Sequence, residues 1–453
     1  MSDIFALPPK QLLIKLLAPI AAGFVMLMCI DFADVLVAGF ISDTAMAILG
    51  YSYALIYFMI AIGFGLNQGL TIIGSEAYIH SGKQKLYHIF MQSVVLSILC
   101  AVVLFVLTMV FLSSQWIDSE ILPHIDMLRD YLMVILWAIL PMFLLLIVCA
   151  LCQIQGRPEV IRDTLAAMLV LTVVLHPLLA LPTGATLTLF NYQLSLPFGY
   201  GLGLVGIASS KLIVTMLGLG FAVVRVIDAS AFFQSNLRFS LTQTLALSKQ
   251  SFPAAAIQLL VPIYLIMLTK TVTNYGLTAI AGFTLGYRIV MVVIIPILGV
   301  LVALLVVMTH DLVSKNYLRV KETLKLSLIW GSVVVFAVLL LSNLITAYGF
   351  DFLKKGEIEY IAQQYLVLAL YITVLEYLIG ICIVSFQSIR SPKIAFCVAS
   401  LRTIVVPVPI LYWVNTHSLS MVELWYMIAL SFTIATIGSV LIGYYGFWKK
   451  ALN

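Results

Sequence analysis

Four ionisable residues lie inside long apolar stretches of this chain, where an isolated charge is costly. Asp31 and Asp34 stand three residues apart, so a helix would present both carboxylates on one face. His176 and Lys211 lie in two later apolar stretches. A charge at the centre of a bilayer costs about 2.5–3.5 kcal/mol on insertion scales, so such residues indicate a functional site by default. The chemistry that these groups share is the binding and release of a proton or another cation.

The composition shows what must position these residues. Hydrophobic residues make up 63% of the 453 residues and charged residues only 9%, whereas soluble domains average about 25% charged residues. The surface must therefore face lipid, and apolar runs of about 20–30 residues suit helices that cross the bilayer. We predict an all-α integral membrane protein with twelve transmembrane helices. Their ranges are 12–39, 46–79, 87–113, 123–151, 159–182, 197–226, 240–272, 277–311, 319–348, 358–389, 393–414 and 420–448.

The loop charges predict the orientation of these helices. Arg and Lys are concentrated in the even-numbered loops and at both termini, while the odd-numbered loops hold only Arg129, Lys354 and Lys355. Because basic loops stay in the cytoplasm, both termini are predicted to be cytoplasmic, probably fixing a bacterial inner (plasma) membrane protein. Met1–Lys15 carries no small-residue cleavage site, so no cleavable signal peptide is expected. With this orientation Asp34, His176 and Lys211 reach a similar depth, and we expect them to converge.

The chain also repeats itself weakly. Ala47–Tyr51 resembles Ala279–Phe283, Gln153–Pro158 resembles Gln387–Pro392, and Pro19 corresponds to Pro253, at offsets of 232 or 234 residues. Each half then holds six helices and starts inside the cell, as in parallel repeats related by an axis along the membrane normal. We predict two six-helix lobes with pseudo-two-fold symmetry, at 1–226 and 240–453, joined by a cytoplasmic linker at 227–239.

Several motifs, in order along the chain, resemble the multidrug and toxic compound extrusion (MATE) family of prokaryotes. They are Pro19 with Asp34-Val-Leu-Val-Ala-Gly39, Gly63-Phe-Gly-Leu-Asn-Gln-Gly69, Leu171-Thr-Val-Val-Leu-His-Pro-Leu-Leu179, Gly203-Leu-Val-Gly206-Ile-Ala208, and Tyr287-Arg-Ile followed by Pro296. The resemblance covers nearly the whole chain. It implies twelve helices in two bundles and efflux driven by a proton or sodium gradient.

The resemblance also assigns a role to the first acidic motif. Asp34 matches the carboxylate that the family implicates in cation coupling. Many prokaryotic members carry an Asn and an Asp on the fifth helix and often a Thr on the sixth, and this chain has Thr172, His176 and Lys211 at those positions. A sodium ion prefers several oxygen ligands and would be repelled by Lys211, so protons are favoured over sodium.

The mechanistic hypothesis is an Asp34–Lys211 ion pair with His176 beside it. Protonation of Asp34 from outside would break the pair and let the first helix bend at Pro19, with Pro253 as the equivalent hinge in the second half. Cargo would then be released outward and the proton to the cytoplasm. The alternative is a static pair that only neutralises two costly charges.

Polar residues at other positions are candidates for cargo contacts. They are Asp31, Gln68, Gln258, Glu376 and Arg288. Glu376 could pair with Lys270 or Arg288, or contact a cationic cargo directly. We expect a monomer in membrane lipid that transports a small molecule, with no cofactor beyond the ion gradient and no nucleic-acid partner.

Other function classes are less consistent with the sequence. It contains no GxxxxGK[ST], HExxH or GxSxG motif, so an enzyme or an ATP-driven pump is not expected. Cys149 and Cys152 form a CxxC without a nearby His or Cys cluster and are interpreted as packing thiols. The leading hypothesis is a gradient-driven exporter of amphipathic, cationic drugs or metabolites. The alternatives are a flippase for lipid-linked saccharides, which Lys211, Lys270 and Arg288 keep open, and sodium coupling.

Overall fold

The computed structural model describes residues 7–112, 124–189, 192–228, 230, 232, 239–348, 357–417 and 419–448. These residues are nearly all helical, in agreement with the predicted fold class. The first part of the chain forms helices α1 (Pro9–Ile41), α2 (Asp43–Leu112), α3 (Ile125–Ile154), α4 (Pro158–Ala180) and α5 (Gly203–Val226).

Helix α2 contains the predicted break between two membrane-spanning segments. Gly82 adopts φ 73° and ψ −166°, which interrupts the helix within Asp43–Leu112. Residues other than glycine rarely adopt this positive φ, so Gly82 allows the chain to leave one helical segment and begin the next. The predicted helices 46–79 and 87–113 lie on either side of this break.

A short β-hairpin was not predicted. Strands β1 (Thr186–Leu189) and β2 (Tyr192–Ser195) pair antiparallel between α4 and α5, with Leu187 opposite Leu194. Helix α5 begins at Gly203, six residues later than the predicted start of 197. The delay has a local cause, because Gly201 and Gly203 both have positive φ, of 67° and 59°, which ends any regular helix there.

The rest of the chain forms a second set of helices. They are α6 (Leu241–Thr273), α7 (Leu277–Val313), α8 (Tyr317–Tyr348), α9 (Glu357–Ser388), α10 (Pro392–Ser400), α11 (Pro407–His417) and α12 (Met421–Gly443). A π-helical turn at Leu401–Val405 joins α10 to α11, and another at Tyr444–Trp448 follows α12. The predicted helices 393–414 and 420–448 therefore each contain a π turn.

The same turn recurs at the two places where the sequence repeats. Gly156 (φ 66°) ends α3 and Arg390 (φ 59°) follows α9, 234 residues later. The next amide in each case closes a wide turn, with Arg157 N bonding Cys152 O at 2.8 Å and Ser391 N bonding Phe386 O at 2.9 Å. Proline then occupies the first position of α4 and of α10, where the missing N–H costs nothing. The repeat seen in the sequence is therefore also present in the backbone.

The chain divides into two compact units. The first unit is Ala22–Ala255, and the second unit comprises Met1–Ala21 together with Ala256–Asn453. The divisions fall inside helices α1 and α6, two residues after Pro19 and two after Pro253. The predicted lobes follow the sequence repeat, whereas the contact units divide these two 33-residue helices at their prolines.

Apolar side chains both form the core and cover much of the outside of each unit. Phe143, Leu70 and Tyr87 are fully buried in the first unit, while Val102, Val106 and Val110 expose more than half of their area along one face of α2. Such a face is stable only against lipid, so this is an integral membrane protein. Within the described residues, eight spans are long and apolar enough to cross a membrane, namely Leu55–Leu112, Ile125–Ile154, Pro158–Ala180, Gly203–Val226, Leu241–Val272, Tyr360–Ser388, Pro392–His417 and Met421–Gly446.

Candidate functional site

A polar cluster in the first unit brings together Asp31, Asp34, His176, Ser210 and Lys211, and it is called the coupling cluster below. Helix α1 supplies both carboxylates. Asp34 lies on the buried face of α1, and only 7% of its side chain is exposed, while Asp31 is 31% exposed. The i, i+3 spacing therefore places one carboxylate inside the unit and the other closer to its surface, as one helical face requires.

His176 links helix α1 to helix α5 and is fully buried. Its Nε2 lies 2.6 Å from Asp34 Oδ1, and its Nδ1 lies 2.7 Å from Ser210 Oγ. The residue belongs to a buried stripe on α4, at four-residue spacing, that also holds Met168 and Thr172. The imidazole is thus held at both ring nitrogens, which fixes its orientation against Asp34.

Lys211 completes the cluster from helix α5. Its Nζ donates a hydrogen bond to Asp34 Oδ2 and lies 3.7 Å from Asp31 Oδ1. Its side chain is 24% exposed, so the ammonium group is not sealed off as His176 is. Asp34 therefore has one oxygen on imidazole and the other on ammonium, and both of its oxygens are satisfied, as a buried carboxylate requires.

The charges of the cluster leave room for one proton. Two carboxylates and one ammonium sum to one negative charge when His176 is neutral, and one added proton brings the sum to zero. Ser210 suits both states, because its hydroxyl donates to Nδ1 of the neutral imidazole and accepts from Nδ1–H of the imidazolium. The geometry thus provides a proton-binding network whose hydrogen bonds persist when the proton arrives or leaves.

Two members of this environment were missed by sequence reasoning. Ser210 precedes Lys211 directly, and its position beside a candidate residue was the one available signal. Tyr131 of α3 is fully buried, and its phenol interacts electrostatically with Lys211, Asp34 and Asp31. Nothing in the sequence distinguishes this tyrosine from the other aromatic residues.

The predicted ion-coupling residue Thr172 lies near the cluster but does not bond to it. Thr172 is fully buried one turn before His176 on α4, and its hydroxyl has no hydrogen-bond partner among the described residues. Most helical threonines in this unit bond the carbonyl four residues earlier, as Thr164 does to Val160 at 2.7 Å. Thr172 is therefore an unused hydroxyl on the same face as the imidazole.

The second unit holds a separate ion pair. Arg402 Nη1 lies 3.6 Å from Glu376 Oε1, so the described partner of Glu376 is neither Lys270 nor Arg288, the two that the sequence suggested. Lys270 is exposed. The side chain of Arg288 lies outside the described residues. Arg402 was not predicted because it stands on a neighbouring helical segment, where only tertiary packing brings it to Glu376.

The remaining candidates do not join either group of charges. Gln68 on α2 is half-buried in the first unit, and Gln258 on α6 is half-buried in the second. Pro19 and Pro253 are half-buried within α1 and α6, two residues before the divisions between the compact units. Both prolines thus lie where a helix passes from one unit to the other.

Known proteins match this chain in both sequence and structure. The MatE family model matches residues 19–178 and 253–413, and the two segments begin 234 residues apart, at Pro19 and Pro253. No curated protein sequence matches the chain.

Three solved structures are similar over nearly the whole chain. A MATE transporter in complex with MaL6 has a TM-score of 0.84 at 17% identity and covers 98% of both chains. A MOP superfamily transporter from Pyrococcus furiosus has a TM-score of 0.84 at 18% identity, covering 98% of this chain and 97% of that one. A mutant of the Vibrio cholerae MATE transporter VcmN has a TM-score of 0.81 at 18% identity, covering 98% of both. Together with the match over both halves of the sequence, these structures show that the chain belongs to the MatE family of membrane transporters.

Proposed function

We propose that this chain is a secondary active antiporter that exports amphipathic, cationic drugs or metabolites in exchange for protons. The observation that carries the proposal is the coupling cluster, in which Asp34 contacts both His176 and Lys211. We further propose that the protein works in a bacterial inner membrane, with twelve transmembrane helices, two lobes and both termini in the cytoplasm. The duplicated family match and the repeated turns support the two-lobe arrangement.

Protonation changes the attraction between helices α1 and α5. In the unprotonated state the Asp34 carboxylate attracts the Lys211 ammonium and accepts a hydrogen bond from it. A proton placed on the Asp34–His176 pair removes net negative charge from beside Lys211, which weakens that attraction. Lys211 can then turn toward Asp31, whose Oδ1 is 3.7 Å away. The interaction that holds α1 against α5 thus depends on the proton.

Helix α1 is the element that would transmit this change. The division between the compact units falls within α1, two residues after Pro19. A proline inside a helix removes one backbone hydrogen bond and permits a kink. Loosening Asp34 from α5 would therefore let α1 bend at Pro19 and release cargo outward, and the proton would leave to the cytoplasm afterwards.

The same geometry disfavours sodium as the coupling ion. Hard cations such as sodium are bound by oxygen ligands, and the two candidate carboxylates already face the ammonium of Lys211. A sodium ion would have to displace this ammonium or lie beside it, and both are electrostatically unfavourable. A proton needs no such space, because it binds to an existing nitrogen or oxygen.

The test is efflux of a fluorescent organic cation from everted vesicles, with proton and sodium gradients imposed separately. We expect the proton gradient alone to drive transport, and Asp34→Asn to reduce the rate at least about tenfold. Asp163→Asn is the matched control, because Asp163 lies on α4 in an exposed pair with Arg162 and should transport normally. Normal proton-driven efflux by well-inserted Asp34→Asn protein would contradict the proposal, as would transport that follows the sodium gradient.

A further inference from the structure

The ion pair in the second unit differs from a purely structural pair in its geometry. Arg402 and Glu376 approach to 3.6 Å, beyond the length of a direct hydrogen bond. Their side chains are 14% and 25% exposed, so both charged groups are accessible. A pair that only neutralises itself inside a membrane protein gains most from short, complete hydrogen bonds. This pair is close enough to be neutral and open enough to accept a ligand.

The backbone places Arg402 in an irregular turn. Arg402 belongs to the π-helical turn Leu401–Val405, which is closed by Val406 N bonding Leu401 O at 3.3 Å. The turn has a local cause, because Pro407 has no N–H with which to bond the carbonyl of Thr403. Single π turns inside α-helices occur frequently at functional sites. The turn sets the direction in which the guanidinium leaves the helix.

Hydrogen-bond donors around this pair lack acceptors. The Nε atom of Arg402 is buried and has no hydrogen-bond partner among the described residues, and the same holds for Nε1 of Trp425. A buried donor without an acceptor costs about 1–3 kcal/mol, and more when it is charged. Trp425 is itself 5% exposed. Two donors of this kind near one glutamate indicate that an acceptor from outside the chain completes the site.

Aromatic side chains form a wall beside the pair. Tyr365 contacts Phe283 and Trp425, with ring centroids 4.9 and 5.4 Å apart. The phenol of Tyr264 interacts electrostatically with both Glu376 and Arg402, which places the charges next to these rings. Aromatic surfaces with a few fixed polar groups are typical of sites for small organic ligands.

From this arrangement we propose that the second unit binds an aromatic zwitterion through the Glu376–Arg402 pair. A carboxylate on the ligand bonds the guanidinium of Arg402, an ammonium group bonds Glu376, and the aromatic body packs against Tyr365 and Trp425. Such a ligand adds one charge of each sign to a pair that is already neutral, so its entry leaves no uncompensated charge in the membrane. The proposal rests on the proposed export function and specifies its cargo as carrying an acidic group besides its cationic one.

The test compares two dyes that differ in one group, a rhodamine with a free carboxylate and its methyl ester. Binding is measured on the purified full chain by fluorescence polarisation, without any ion gradient. We expect the wild-type protein to bind the free acid about tenfold more tightly than the ester, because an arginine–carboxylate contact is lost in the ester. Arg402→Gln should abolish this preference while leaving the affinity for the ester nearly unchanged.

Matched variants separate binding from folding. Arg402→Gln leaves Glu376 unpaired and could destabilise the protein, so the double variant Glu376→Gln with Arg402→Gln, which keeps the site neutral, must also lose the preference. Arg402→Lys should retain only part of it, because lysine lacks the planar fork of arginine. Lys393→Gln removes an exposed charge from the start of α10 and should bind like the wild type.

The outcomes distinguish this inference from the proposed function. Equal affinity for both dyes in the wild type overturns the inference, as does failure to bind either dye, and an acid preference that persists in both Arg402→Gln and the double variant does the same. If proton-driven efflux of the ester is nevertheless observed, the proposed export function stands. If the acid preference depends on Arg402 but no gradient drives efflux, the inference stands and the export function fails.

Discussion

The coupling cluster in the first unit and the Glu376–Arg402 pair in the second solve the problem of buried charge in different ways. In the cluster, Asp34 is 7% exposed and has both oxygens within hydrogen-bond distance of a nitrogen. In the second unit, Glu376 is 25% exposed and its partner is 3.6 Å away. The first arrangement is closed around its own groups, and the second leaves donors unused.

This difference teaches what each site is suited to bind. A closed network excludes a bulky ligand but still admits a proton, because a proton needs only a lone pair and a tolerant set of hydrogen bonds. An open pair with unused donors admits an organic ligand whose charges match it. If the comparison is correct, variants of the first site should alter stability and coupling, and variants of the second should alter selectivity.

The largest effect is expected from Lys211→Met. Removal of the ammonium leaves Asp31 and Asp34 near each other without their cation, and removal of one partner from a buried pair typically costs about 3–5 kcal/mol. We expect a clear fall in the thermal unfolding midpoint in detergent. Lys83→Met is the control, because Lys83 pairs with Asp228 at 3.0 Å but both side chains are about 40% exposed, and such pairs contribute at most about 1 kcal/mol.

A second variant separates the fold from the coupling function. Asp34→Asn combined with Lys211→Met removes both members of the pair and should recover most of the lost stability, since no unpaired charge remains from it. It should still fail to couple efflux to protons. Recovery of proton-driven efflux together with stability would show that the pair is only structural.

The next largest effect is expected from His176→Gln. Glutamine keeps a polar group between α4 and Asp34 but does not exchange protons in the physiological range, as imidazole does. We expect proton-driven efflux to fall about tenfold to a hundredfold, and the pH profile of the remaining activity to flatten. An unchanged pH profile would remove His176 from the proton pathway. His88→Gln on α2 serves as the control for a buried histidine outside the cluster.

Much of this fold and part of this site could be predicted from the sequence, for identifiable reasons. Long apolar runs with loop charges indicate helices, because only helices satisfy the backbone in lipid. Asp34, His176 and Lys211 were predicted to converge because intramembrane charges are rare and the helix directions fixed their depth. The hairpin at Thr186–Ser195 and the π turn at Leu401–Val405 depend on local backbone geometry that hydropathy does not register.

The partners that were missed share a different cause. Ser210 carries no charge, so nothing in the sequence marks it, and it matters only because α4 turns the His176 ring toward it. Arg402 was overlooked as the partner of Glu376, since the pairing depends on how the segment after α9 packs back against it. Which side chains face one another across helices is a tertiary property, and the sequence restricts it only where charges are scarce.

A smaller effect is expected from Ser210→Ala. The variant removes the partner of His176 Nδ1, leaving one buried nitrogen unpaired at a cost of about 1–3 kcal/mol. The cluster stays intact otherwise, so we expect efflux to fall about threefold to tenfold with a shifted pH profile. Ser210→Thr, which restores the hydroxyl, should recover part of the activity. Ser209→Ala changes the neighbouring half-buried serine and should behave like the wild type.

The smallest effect is expected from Pro407→Ala, which tests the second site through its backbone. Alanine restores an N–H that can bond the Thr403 carbonyl, so the π turn can relax toward a regular α-helix and rotate Arg402 away from its present direction. We expect the preference for the free-acid dye over its ester to fall about twofold to threefold, with the unfolding midpoint unchanged or raised. Pro409→Ala, two residues further along and exposed, should leave the preference intact. If the preference survives Pro407→Ala unchanged, the π turn does not set the direction of Arg402, and the selectivity of the second site must come from the aromatic wall alone.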